Sequence, residues 1–124
     1  MTEADLIWNR ACMGGGSNLR AGDQALAALL LAHGHVMNGG LLHAMDCMSE
    51  TELSDACTGY RFFGFDSVAD LMARTRRIHE ADEDTDDIEL ELNQKYETMI
   101  PNDSTIEARF LAHLARKPVD FSPL

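Results

Sequence analysis

The stretch from Ala25 to Met48, ALAALLLAHGHVMNGGLLHAMDCM, is the most apolar part of the chain and is interrupted once, at Asn38-Gly39-Gly40. On its N-terminal side apolar residues fall at Leu26, Leu29, Leu30, Val36 and Met37, with His33 on the same line. A recurrence of about 3.6 residues marks one face of a helix, and the alternation that a strand needs is absent. Asn and Gly tolerate the left-handed backbone that ends a helix. The pattern therefore predicts a helix from Gly22 to Met37, a structural turn at Asn38, Gly39 and Gly40, and a second helix from Leu41 to Met48. The second carries Leu41, Leu42, Met45 and Met48 at steps of three and four. Two apolar faces joined by so short a connection are expected to pack as an antiparallel or steeply angled pair.

The remaining helices are read from their ends. Thr2 with Asp5 opens a short helix through Ala11, with Leu6, Ile7 and Trp8 giving it an apolar side. Ser49 and Glu52 form an S-x-x-E capping box ahead of a helix from Glu50 to Thr58, stopped at Gly59. Tyr60 to Phe65 then holds half of the eight aromatic residues in six positions, a density suited to a plug where helices meet. Asp66 caps a helix from Ser67 to His79 with Val68, Leu71, Met72, Thr75 and Ile78 inward. Its acids come first and its bases, Arg74, Arg76 and Arg77, come last, as the helix dipole favours. Glu80 to Asp84 reads as a loop, and Thr85 as the cap of a helix from Asp86 to Met99 burying Ile88, Leu92, Tyr96 and Met99. Ser104 and Glu107 make a second S-x-x-E box for a helix to Arg116 that buries Ile106, Phe110, Leu111 and Leu114, ended by Pro118. The fold class is all-α. One domain spans residues 1–124 as a compact bundle of about six to seven short helices: an N-terminal helix and Gly-rich connection (1–17), core helices (18–79), an acidic segment (80–91) and C-terminal helices (92–124).

At 124 residues the chain is long enough to bury a core without staples. Cys12, Cys47 and Cys57 form no C-x-x-C pair and no even framework, which fits reduced, buried thiols in a cytoplasmic protein. The N-terminal residues show no signal-like apolar run, and Leu29-Leu30-Leu31 is far too short to span a bilayer. A formal charge of −11 excludes phosphate-bearing partners such as nucleic acid or an anionic lipid surface. A basic protein partner is left open.

Several motifs with chemical content are present in fragments. Met13 to Ser17 reads MGGGS, but the Lys-Ser/Thr pair of a phosphate cradle does not follow. His43 and Cys47 stand at i, i+4 with His33 and His35 nearby, the basis of an alternative reading as a metal-binding protein or metal-dependent enzyme using His33, His43 and Cys47. Asp82, Asp84 and Asp86 match the first positions of a calcium loop, which then fails at Asp87 and Asn93. No nucleophile has a recognisable context, so no catalytic residue and no cofactor are expected.

The charge itself is the strongest functional signal. Eight of the 21 acids, Glu80, Asp82, Glu83, Asp84, Asp86, Asp87, Glu89 and Glu91, lie in twelve residues that contain no Lys or Arg, leaving 13 acids against all ten bases elsewhere. Were that segment one helix, it would carry a charge about every 2.2 Å, comparable with the ~1.7 Å of duplex DNA. Held rigidly, such a row offers carboxylates where a basic groove expects phosphates. A solvated acidic loop that only aids solubility is the plainer reading.

Several segments in order resemble a family of small, acidic, all-helical bacterial proteins of unknown function that includes a DNA-mimic protein. They are the apolar helix leading into Val36-Met37-Asn38-Gly39-Gly40-Leu41, Gly64 before Val68-Ala69-Asp70-Leu71, the acidic and tyrosine-bearing Glu89 to Tyr96, and Lys117-Pro118-Val119-Asp120-Phe121. Where the family usually places phenylalanine and then glutamine after the two glycines, this chain has Leu41 and His43. The resemblance implies an all-helical fold and no enzyme activity, and it favours the reading in which the acidic surface binds a basic DNA-binding protein such as a transcription regulator, in the manner of DNA. An immunity protein neutralising a basic toxin would use the same surface.

Overall fold

A computed structural model describes the backbone of residues 1–14, 16, 18–81 and 86–124, and the side chains of all of these except Asp86. Among the described residues there are seven α-helices and no strand: α1 (Glu3–Cys12), α2 (Ala21–Gly39), α3 (Leu41–Cys47), α4 (Glu50–Phe62), α5 (Asp66–Glu80), α6 (Asp86–Met99) and α7 (Asp103–Arg116), closed by a 3-10 turn at Pro118–Asp120. The chain is all-α, as its periodicity predicts.

Two of the predicted caps form as their letters require. Thr2 and Asp5 satisfy each other's backbone N–H groups at 3.1 and 2.9 Å, and Ser49 and Glu52 do the same at 3.1 and 2.9 Å. The Ser104–Glu107 box does not form, and Asp66 is the first residue of α5 and not its cap, which is Phe65. Asn102 occupies the cap of α7 without a side-chain bond, so Ser104 already lies inside the first turn.

Helix α2 is the centre of the bundle, with α1, α3, α4 and the closing turn packed on it. It runs past Met37 because only Gly40 takes a positive φ, 92°, while Asn38 and Gly39 stay helical. Since α3 returns from Gly40, the Val36 side of the last turn is covered and Met37, expected inward, is exposed. Leu26, Leu29 and Val36 are buried with His33 on the predicted line. Helix α4 likewise continues through Gly59. There the missing side chain lets α4 lie against the Ala25 carbonyl of α2, where any Cβ would overlap that oxygen.

The aromatic plug is present. Tyr60, Phe63 and Phe65 are buried, and from the C-terminal side Phe110 and Phe121 are buried against each other, edge to face at 5.5 Å. On α7 the buried line is Ile106, Phe110 and His113, and Leu111 is exposed. Asp120 bonds His113 at 2.7 Å, which draws the closing turn onto that line and seats Phe121 in the core. The thiols differ from expectation: Cys12 and Cys47 are exposed and Cys57 is half-buried, because they flank the buried stripes of their helices.

One buried carboxylate fastens the chain ends. Asp23 accepts from Arg10 at 2.6 Å, from the Arg20 N–H at 3.1 Å and from the Ser122 N–H at 2.7 Å. Burial opposes its ionisation, but the Ser122 and Arg20 N–H groups and the Arg10 guanidinium outweigh it and hold the carboxyl below the usual range.

Candidate protein-binding surface

The described acids of the segment stand at the end of α5 and on α6. Glu80 is the last residue of α5, not part of a loop, and is exposed. Asp82, Glu83, Asp84 and the predicted cap Thr85 lie outside the described residues, as does the side chain of Asp86, so the calcium-like spacing of Asp82, Asp84 and Asp86 does too. On α6, Leu92 and Tyr96 are buried and set the rotation of the helix, and Ile100 just beyond its end is buried too. That rotation leaves Asp87 and Glu91 exposed and Glu89 half-buried. Helix α5 ends at Glu80 and Ala81 is a turn residue, so Glu80 stands on a different helix from Asp87, Glu89 and Glu91 of α6.

The acids are not equivalent. Glu91 pairs with Lys95 one turn on, at 3.0 Å, and with Arg74 of α5 at 4.0 Å. The Lys95 contact holds the Glu91 carboxyl below its usual range. A cleft of about 620 Å³ between α5 and α6 begins here, and its charges are mixed, with Asp70 and Glu91 opposite Arg74 and Lys95. Glu80, Asp87 and Glu89 make no ion pair among the described residues.

The turn at Gly40, between α2 and α3, fixes where α6 stands. Asn93 of α6 accepts from the Leu41 N–H at 3.0 Å and lies against Gly40, where a Cβ would meet it at 2.9 Å. The turn that ends α2 thus also holds α6, two residues after Glu91. Asn93 carried no sequence signal, because its partner is 52 residues away.

A family model for the DMP19-like proteins matches residues 17–118. The chain belongs to the DMP19-like family. No curated protein and no solved structure matches it. The DMP19-like span takes in the whole acidic segment, the Asn38-Gly39-Gly40 turn and Asn93, and leaves out α1 and Phe121.

Within this DMP19-like span the residues of the metal alternative are drawn apart into separate hydrogen-bonding groups. His33 is buried; its Nδ1 lies 2.7 Å from the Tyr96 hydroxyl and its Nε2 2.8 Å from Asp103. Tyr96 is in turn 2.7 Å from the Tyr60 hydroxyl. Among the described residues Tyr60 has no other acceptor, so it donates to Tyr96, Tyr96 donates to His33 Nδ1, and Nε2–H donates to Asp103. Burial, with Tyr96 beside it, pushes the Tyr60 phenol well up, and burial does the same for Tyr96. The chain of bonds joins α2, α4, α6 and α7. His43 instead meets Cys47 at 3.4 Å on the outside of α3. No group of three His, Cys, Asp or Glu able to hold a metal ion occurs among the described residues. No helix among them is long and apolar enough to cross a membrane.

Proposed function

We propose that this DMP19-like chain works without catalysing a reaction, as a cytoplasmic acidic protein that engages a basic, DNA-binding protein in the manner of DNA. Glu80, Asp82, Glu83, Asp84, Asp86, Asp87 and Glu89 carry the contact, with Glu91 as a compensated edge. The single observation behind the reading is the run of eight carboxylates in twelve residues without a base. The exposure of Glu80 and Asp87 on two helices anchored to the core supports it. Lys and Arg of the partner would meet carboxylates in place of phosphates, with attraction that weakens as salt rises.

The test is capture of partners from the source cell lysate at low and at high salt. A basic DNA-binding protein is expected, released by salt and displaced by duplex DNA. Replacing Asp82, Asp84, Asp86 and Asp87 by Asn should abolish its recovery while helical content stays unchanged. Equal recovery with that variant would remove the acidic segment from the function.

A further inference from the structure

The most apolar helix of the bundle has one side without a packed neighbour among the described residues. Between Gln24 and His35 the outward positions of α2 are Gln24, Ala27, Ala28, Leu31, Gly34 and His35, and none is Asp, Glu, Lys or Arg. Ala27 and Ala28 are half-buried, Leu31 is exposed, and a Cβ added at Gly34 would meet nothing within 4 Å. A surface helix ordinarily turns charge to solvent, whereas one that is uncharged all round is covered. A cleft of about 850 Å³ lies over this face, with Trp8 and Cys12 of α1 on one wall and Asp55 and Phe62 of α4 on the other. Its lining includes three carboxylates, Glu52, Asp55 and Asp103, and no Lys or Arg. Asp103 is held by His33, but Asp55 makes no ion pair among the described residues.

We propose that this cleft docks an amphipathic helix of a partner protein, presenting small apolar residues to α2 and Lys or Arg to Glu52 and Asp55. Gln24 to His35 extends about 17 Å, so roughly three turns of helix cover it. The charge argues for a foreign helix over a second copy, since two chains of −11 would bring like-charged rims together. The cleft shares no residue with the acidic segment, and the inference does not depend on the reading of that segment.

Trp8, the only tryptophan, lines the cleft and reports on it. The probe is a stapled helical peptide of about 12 residues, with an Ala/Leu stripe flanked by Lys, titrated into the whole chain while Trp8 fluorescence is followed. Its control has the same stripe flanked by Glu. One-to-one binding of the Lys peptide only is expected. Asp55→Lys should weaken it about tenfold or more, and Gly34→Phe, which fills the cleft where a side chain has room, should abolish it. Leu31→Glu, at a position already exposed, serves the same purpose should Gly34→Phe fail to fold. The variant with Asp82, Asp84, Asp86 and Asp87 replaced by Asn should bind the peptide as before, which separates this site from the proposed function. Equal binding of the Glu peptide, binding indifferent to Gly34→Phe and Leu31→Glu, or a native dimer dissociated by either variant would each overturn the proposal.

Discussion

Asp23 and the acidic corner of α5 and α6 hold the same chemical group in opposite settings. Asp23 is 2% exposed, and a guanidinium and two backbone N–H groups converge on it from α1, the start of α2 and the C-terminal segment. Glu80 and Asp87 are exposed and make no ion pair among the described residues. A buried carboxylate is stable only with such partners, and removing it strands them. An exposed one contributes little to the fold and keeps its charge available to another molecule. The contrast assigns Asp23 to folding and leaves the charge of Glu80 and Asp87 without a part in it, as the proposed binding role requires.

The largest effect should come from Asp23→Ala, which leaves Arg10 and the Ser122 N–H without their acceptor and should cost about 3–5 kcal/mol in urea unfolding at neutral pH. The pH dependence sharpens the point. Because folding depresses the Asp23 carboxyl, its stabilisation is complete above the unfolded value of about 3.9 and is lost as pH falls through the lower folded value. The gap between native and variant should therefore narrow on acidification. Leu29→Ala, at a fully buried position of α2, should cost about 2–5 kcal/mol. Tyr96→Phe removes the middle of the His33–Tyr96–Tyr60 chain and leaves two buried groups without partners. It should cost about 1–3 kcal/mol and more than Tyr60→Phe, which strands no donor. Replacing Asp82, Asp84, Asp86 and Asp87 by Asn should leave stability within about 0.5 kcal/mol while removing partner binding. A large loss of stability in that variant would break the contrast with Asp23.

Sequence letters were informative where their partners were close in the chain. The Thr2–Asp5 and Ser49–Glu52 boxes are local, and both form. Ser104 and Glu107 have the same spacing, yet the helix starts at Asp103, which is engaged by His33, 70 residues away. Gly59 carries the letter of a helix stop but serves a close approach of α4 to α2, a distinction that only the neighbouring helix creates. The acidic segment was legible as a run of charge. That Arg74 also compensates Glu91 was not, because Arg74 reaches it from another helix.

By itself the sequence determined the all-helical class, the apolar centre in α2 and α3, the turn before Leu41, and the concentration of acid between Glu80 and Glu91. Periodicity, capping and charge density are local properties, written in neighbouring residues. The tertiary structure decided which polar side chains work as fasteners: Asp23 at the chain ends, Asn93 against the Gly40 turn, and the His33, Tyr96 and Tyr60 chain across four helices. It also decided that the outer face of α2 lies open beneath a cleft. Those roles depend on residues 13 to 99 positions apart meeting in the folded bundle, where burial makes an unpaired polar group costly and a paired one stable.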